Sequence, residues 1–160
     1  PDFPEARLLF ASELKDEKPF YRQLAEEARR LSLEDRVVFL GRVEPRALAR
    51  LLKRADMVLL PFRDGASTRR STLSSAITLG ACVVTTETPD LLPDFRRGGV
   101  VLCKPKDPRS LAAAIRSFLR HPKAKTILRK RLPLLQRLFD WKRIAAAHRV
   151  LYGNVLRGLR

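Results

Sequence analysis

The stretch "FRDGASTRRSTLSS" gathers Asp64, Gly65, Ser67, Arg69, Arg70, Ser71, Thr72 and Ser75 into a short span. Two guanidinium forks match phosphate oxygens geometrically. The hydroxyls can donate to phosphate or to sugar hydroxyls, and glycine lets backbone come close to a ligand. Asp64 can pair with Arg69 or Arg70 and hold the loop's shape. The same residues also suit a surface loop with an ordinary serine cap and two solvated arginines. The Gly-Lys-Ser/Thr ending of a P-loop is absent.

The flanking segments decide where such a loop would stand. An apolar run at 56–62, "DMVLLPF", precedes it, and "ACVVTT" at 81–86 follows. Uninterrupted apolar runs of this length are expected of strands covered on both sheet faces. Between them "STLSSAITLG" reads as a helix, with Ser71 or Thr72 near its cap and Gly80 past its end. The loop would thus lead from a strand's carboxyl end into a helix. The first N–H groups of a helix lack partners and carry partial positive charge, so they attract anions.

The rest of the chain repeats this alternation. Strands are expected at 7–12, 36–41 and 99–104. Helices are expected after Asp16, with Phe20, Leu24, Ala28 and Leu31 at helical spacing, and from Pro45, and from Asp107–Pro108. Two further helical segments cover roughly 123–138 and 141–157, and Pro133 should kink or break the first. Trp141, Ile144, Ala145, His148, Tyr152 and Val155 share a face of the second. Single helices between strands define an α/β fold, a Rossmann-like parallel sheet with helices on both faces and extra C-terminal helices. Open sheets of this kind bind ligands outside the carboxyl ends of their strands.

Composition narrows the classes. The chain has 160 residues, 45% of them hydrophobic, with a net charge of +16. Residues 121–160 hold eleven basic side chains and one acidic one. Such a tail suits a polyanionic partner, or is simply a solvated helical face. No apolar run reaches membrane-spanning length. The aromatic residues sit in apolar periodic segments rather than beside basic clusters, which argues against nucleic acid. Cys82 and Cys103 lie in apolar runs and read as buried thiols of a reducing compartment, with a disulfide as the alternative. No zinc-ligand spacing occurs. His121 before Pro122 reads as solvated or capping, and His148 as a packed core residue.

Taken in order, "RVVFLGRV", "ALARLLKRADMVLLPF", "SAITLGACVVTTETPDLLPDF" and "GGVVLCKPKDPRSLAAAIRSFLRHP" resemble the C-terminal, donor-binding half of GT-B retaining glycosyltransferases. The resemblance is to the sucrose-synthase-like family 4 and runs from about Pro1 to Tyr152. It implies transfer of a sugar from a nucleotide-diphosphate sugar to a glycan or lipid-linked acceptor held by an N-terminal domain. It also implies no metal or other cofactor. The diphosphate would rest on Gly65, Ser67, Arg69, Arg70, Ser71, Thr72 and Leu73, the ribose on Ser75, and the base near Arg42, Val43 and Lys104.

Two departures stand out. Serines occupy positions 67 and 75, where the family's E-x7-E glutamates would be. A serine cannot accept two hydrogen bonds as an anion does. "PDFPEARLLFASE" resembles the strand after the family's first βα unit, so that unit and the acceptor domain are expected to be missing from this piece, which alone should be inactive. The expected division is a partial nucleotide-sugar-binding domain at 1–120 and basic helices at 121–160. A cytoplasmic location, peripheral on the inner membrane face, fits an anionic membrane surface as partner. The competing classes are a non-catalytic nucleotide-sugar or anionic-lipid binding module and, behind it, a basic nucleic-acid-binding domain.

Overall fold

A computed structural model describes residues 3–12 and 19–158. The chain divides into two compact units, residues 1–51 and 52–160. Asp16, the expected cap of the first helix, lies outside the described residues.

In the first unit β1 (Leu8–Phe10) pairs parallel with β2 (Val37–Phe39), Leu8 opposite Val37 and Phe10 opposite Phe39. The rings of Phe10 and Phe39 stack, with centroids 5.2 Å apart. The connecting helix α1 (Pro19–Arg30) buries Ala28 and half-buries Tyr21 and Leu24, whereas Phe20 and Leu31 are exposed. The apolar spacing was right for a helix, but the inward stripe begins at Tyr21, whose hydroxyl meets Ser12 Oγ at 2.8 Å. Helix α2 (Pro45–Arg54) starts with Pro45, and Glu44 accepts a hydrogen bond from the Ala47 amide at 3.0 Å. That bond supplies an acceptor for an amide of the helix's opening turn.

The second unit is built on a three-stranded parallel sheet, ordered β3 (Val58–Leu60), β4 (Val83–Thr86), β5 (Val100–Cys103). All four residues of the central strand β4 are buried. Helix α3 (Ser71–Thr78) packs against β3 and β4, and α5 (Pro108–Arg120) against β5 and β4. Asp107 caps α5, accepting from the Ser110 amide at 2.9 Å, with Pro108 in its first turn. A short helix, α4 (Pro93–Arg97), follows β4 and buries Phe95. It had no sequence signal of its own, being too short for periodicity to show.

Helix α6 (Ala124–Gln136) closes the core. Leu132 and Leu135 are buried with Leu73, Ile77, Val83 and Phe95. The approach is close at Gly99, whose φ is +93° and where a Cβ would stand 3.1 Å from the Cα of Leu132. Only glycine combines that backbone with that distance. Pro133 does not break α6, which runs on to Gln136 and then tightens into a 3₁₀ turn at Arg137–Phe139. Pro133 is exposed, while Leu132 and Leu135 on either side are buried and hold the segment on the core.

Helix α7 (Trp141–Gly158) has no buried residue. Trp141 is 80% exposed, and Val150, Leu151, Tyr152, Val155 and Leu156 are all more exposed than buried. His148 is therefore not a core residue. It lies on the exposed helix with Nδ1 2.8 Å from the Ile144 carbonyl oxygen. The apolar spacing marked a real face, but spacing alone does not say that anything covers it. No helix among the described residues is long and apolar enough to cross a membrane.

Candidate functional site

The loop between β3 and α3 is tied down at both ends. Its entry is anchored by Thr86, buried at the end of β4, whose hydroxyl donates to the Phe62 carbonyl at 2.7 Å. Thr85 does the same to Leu60 at 2.9 Å. The Ala66 amide donates to the Thr86 carbonyl at 2.9 Å. A threonine in a sheet core must find such an acceptor, because an unpaired buried hydroxyl costs about 1–3 kcal/mol. Here both acceptors belong to the neighbouring strand and its exit, so the core's polar requirement positions the loop.

Gly65 adopts φ +85°, and a Cβ there would lie 2.6 Å from Thr88 Cβ and 2.9 Å from the Glu87 carbonyl oxygen. The close approach expected of this glycine is thus made to the segment after β4. Arg96 of α4 braces that segment, reaching the Thr88 carbonyl at 3.0 Å and the Glu87 carboxylate at 3.5 Å.

At the exit, Arg70 is the N-cap of α3, with extended backbone and no side-chain cap bond. The serine or threonine cap expected from the sequence is absent; Ser71 and Thr72 are already in the helix. The Arg70 guanidinium binds Asp64 and lies 4.8 Å from the centre of the Phe62 ring. Arg69, one residue earlier, is exposed and has no hydrogen-bond or ion-pair partner among the described residues.

These ties leave a set of donors open. Among the described residues none accepts from the N–H groups of Ser67, Thr68 and Arg69, nor from those of Ser71, Thr72 and Leu73. The Leu73 side chain is fully buried in the core, so its amide is what it can offer a ligand. Ser75 lies on α3 one turn further on and is exposed. The arrangement is two runs of amides, hydroxyls from Ser67, Ser71 and Thr72, and the Arg69 cation, while the carboxylates of Asp64 and Glu87 are paired with Arg70 and Arg96. It can hold a polyanion.

Lys104 follows β5 at the same carboxyl edge of the parallel sheet, with its amide donating to Ser110 Oγ at 2.9 Å and its side chain exposed. Arg42 and Val43 follow β2 in the first unit, Arg42 exposed and Val43 half-buried. The expected base-binding residues are thus divided between the two units. Sequence reasoning passed over Phe62, Thr86 and Thr88. The signal for Thr86 was a hydroxyl pair ending an apolar strand, where hydrophobic residues alone would have served a core.

His121 caps the end of α5, its Nδ1 2.6 Å from the Ser117 carbonyl oxygen. Cys82 and Cys103 are free and buried. Burial pushes both thiols above the ordinary cysteine range; at Cys82 the cations of Arg129 and Lys125 partly oppose this. Among the described residues no cluster of His, Cys, Asp or Glu could hold a metal ion.

A parallel sheet flanked by helices, with open donors where its first strand turns into a helix, defines a Rossmann-like α/β domain, a class that binds ligands outside the carboxyl ends of its strands. The chain belongs to the glycosyl transferases group 1 family, whose pattern matches residues 2–121. No curated protein matches the sequence. Among solved structures, a sucrose-phosphate synthase from Thermosynechococcus elongatus superposes with a TM-score of 0.77 at 23% identity, over 97% of this chain and 40% of that one. Anabaena HepE in complex with UDP gives 0.75 at 20% identity, over 94% of this chain and 42% of that one. The C-terminal domain of a group 1 glycosyl transferase (LpcC) from Francisella tularensis gives 0.65 at 13% identity, over 80% and 66%. The fold is that of the C-terminal half of GT-B enzymes, and the chain spans about two fifths of the first two relatives.

Proposed function

We propose that this chain is the donor-binding part of a glycosyltransferase that moves a sugar from a nucleotide-diphosphate sugar to a glycan or lipid-linked acceptor, with retention of configuration and without a metal. The observation that carries the reading is the double run of open amides at 67–69 and 71–73, set between a β-strand and a helix N-terminus. Oriented amides stabilise pyrophosphate in the ground state and the charge that grows on it as the sugar departs. Membership of the glycosyltransferase family and the UDP complex of HepE support the ligand class.

In this reading Ser67, Arg69, Ser71, Thr72 and the Leu73 amide attend the diphosphate, with Gly65 and Arg70 shaping the loop. Ser75 meets the ribose, and Lys104 lies toward the base. The family-4 assignment belongs to the same proposal, with serines in place of both glutamates. The acceptor is held by a further domain, and the exposed apolar face of α7 rests on it. The basic side chains of residues 121–160 face an anionic membrane surface, which places the protein in the cytoplasm at the membrane's inner face. About 1 kcal/mol for each basic residue near such a surface makes the tail sufficient for peripheral binding.

The test is a titration of UDP, GDP and ADP sugars into the full-length protein by calorimetry, with a crystal soaked in the nucleotide that binds. Pyrophosphate seated on residues 67–73 is expected. Nucleotide bound elsewhere, with this loop empty, would overturn the reading. Binding without sugar transfer to any acceptor would instead favour a non-catalytic module, the role that the serines at 67 and 75 leave open.

A further inference from the structure

Arg69 and Arg70 are adjacent and chemically identical, but the fold treats them differently. Arg70 is engaged on every side. Its amide donates to the Ser67 carbonyl at 3.2 Å, and its carbonyl accepts from the Ser74 amide at 3.0 Å, opening the hydrogen-bond ladder of α3. Its guanidinium binds the Asp64 carboxylate and sits over the Phe62 ring at 4.8 Å. Phe62 is itself fastened to the central strand, its carbonyl taken by the Thr86 hydroxyl at 2.7 Å. A continuous chain of contacts therefore runs from β4 through Phe62 to Arg70 and Asp64. Arg69 has none of these partners.

From this we infer a division of labour within the proposed donor site, on which the inference rests. Arg69 is the cation that meets the diphosphate, and Arg70 is a positioning residue that, clamped by Asp64 and Phe62, holds the loop in the shape that presents the amides of residues 67–69. The physical reason is competition. For Arg70 to grip a phosphate it must leave the carboxylate that one of its nitrogens binds and the aromatic face beneath its plane. Arg69 has nothing to leave. Its place one residue before the N-cap also puts its charge beside the α3 terminus, where the helix field adds to it.

Asp64 separates the two roles by the sign of one effect. If Arg70 were a ligand held in reserve, removing Asp64 would release it and tighten nucleotide binding. If Arg70 positions the loop, removing Asp64 loosens the clamp and weakens binding. The experiment is calorimetric titration of UDP into the full-length protein and its R69A, R70A, R70K, D64A and D64A/R70A variants at two salt concentrations, with a melting temperature for each.

R69A should bind UDP about tenfold more weakly, the loss of one charge-assisted phosphate contact, with reduced salt sensitivity and an unchanged melting temperature. R70A, R70K and D64A should each lower the melting temperature and weaken UDP while keeping the wild-type salt sensitivity, and D64A/R70A should be no worse than the worse single variant. R70K keeps the charge without the fork and serves if R70A does not fold. Tighter binding by D64A, or R69A indistinguishable from wild type while R70A has lost its salt response, would overturn the inference and leave the donor site standing. Failure of the unmutated protein to bind UDP, GDP or ADP would overturn the donor site, and this inference with it.

Discussion

Gly65 and Thr88 stand so close that no side chain fits between them: a Cβ built on Gly65 would lie 2.6 Å from the Cβ of Thr88. Two loops that follow different strands are thereby locked together at the carboxyl edge of the sheet. The loop carrying the open amides cannot shift without moving the segment after β4, which Arg96 braces.

Gly65→Ala should therefore be costly. It combines a left-handed backbone, φ +85°, with a collision against backbone as well as side chain. We expect a loss of about 2–4 kcal/mol in chemical denaturation, from strain and overpacking together. Stability within about 0.5 kcal/mol of wild type, the range of ordinary surface changes, would show that the two loops are not locked.

Leu135→Ala tests whether α6 is part of the core. Leu135 is fully buried beside Gly99. A loss of about 2–5 kcal/mol is expected from the missing contacts and the cavity left behind. Deleting everything after Arg120 should then give a protein that no longer unfolds cooperatively, followed by circular dichroism in urea.

The thiols predict a pH dependence. Burial raises the values of Cys82 and Cys103 in the folded state. Between the unfolded value, about 8.5, and the raised folded value, the unfolded chain has lost protons that the folded chain retains. Stability is then fully present below about pH 8.5 and falls as pH rises through that window. Denaturation midpoints at pH 7, 8.5 and 10 check the sign. In the same experiment iodoacetamide should label neither cysteine of the folded protein at pH 8, and both in urea.

Trp141 is the only tryptophan and is 80% exposed. Emission of this chain should be that of water-exposed indole and should be quenched readily by acrylamide. In the full-length protein the emission should shift to the blue and quenching should fall, since the proposed second domain covers α7. Identical spectra for the two would remove that part of the proposal.

The order of strands and of every helix but the short α4 was legible because the strands are apolar runs and the longer helices carry a periodic stripe. The ends were not: the strand expected at 56–62 is Val58–Leu60, and that at 81–86 is Val83–Thr86. Pairing with a neighbour decides strand length, and a single sequence does not contain the neighbour's register. The exposure of His148 and Trp141 was likewise beyond periodicity, which marks a face without saying what covers it.

The candidate site divides the same way. Residue types alone determined that the segment from Asp64 to Ser75 concentrates cations, hydroxyls and a glycine between a strand and a helix, because side-chain chemistry and local backbone preference are properties of the residues themselves. Only the tertiary structure decided that Asp64 takes Arg70 and leaves Arg69, that Phe62 and Thr86 fasten the loop to the central strand, and that Gly65 yields to Thr88. Each is a contact across neighbouring strands or within a folded loop, set by where the parallel sheet brings the chain together.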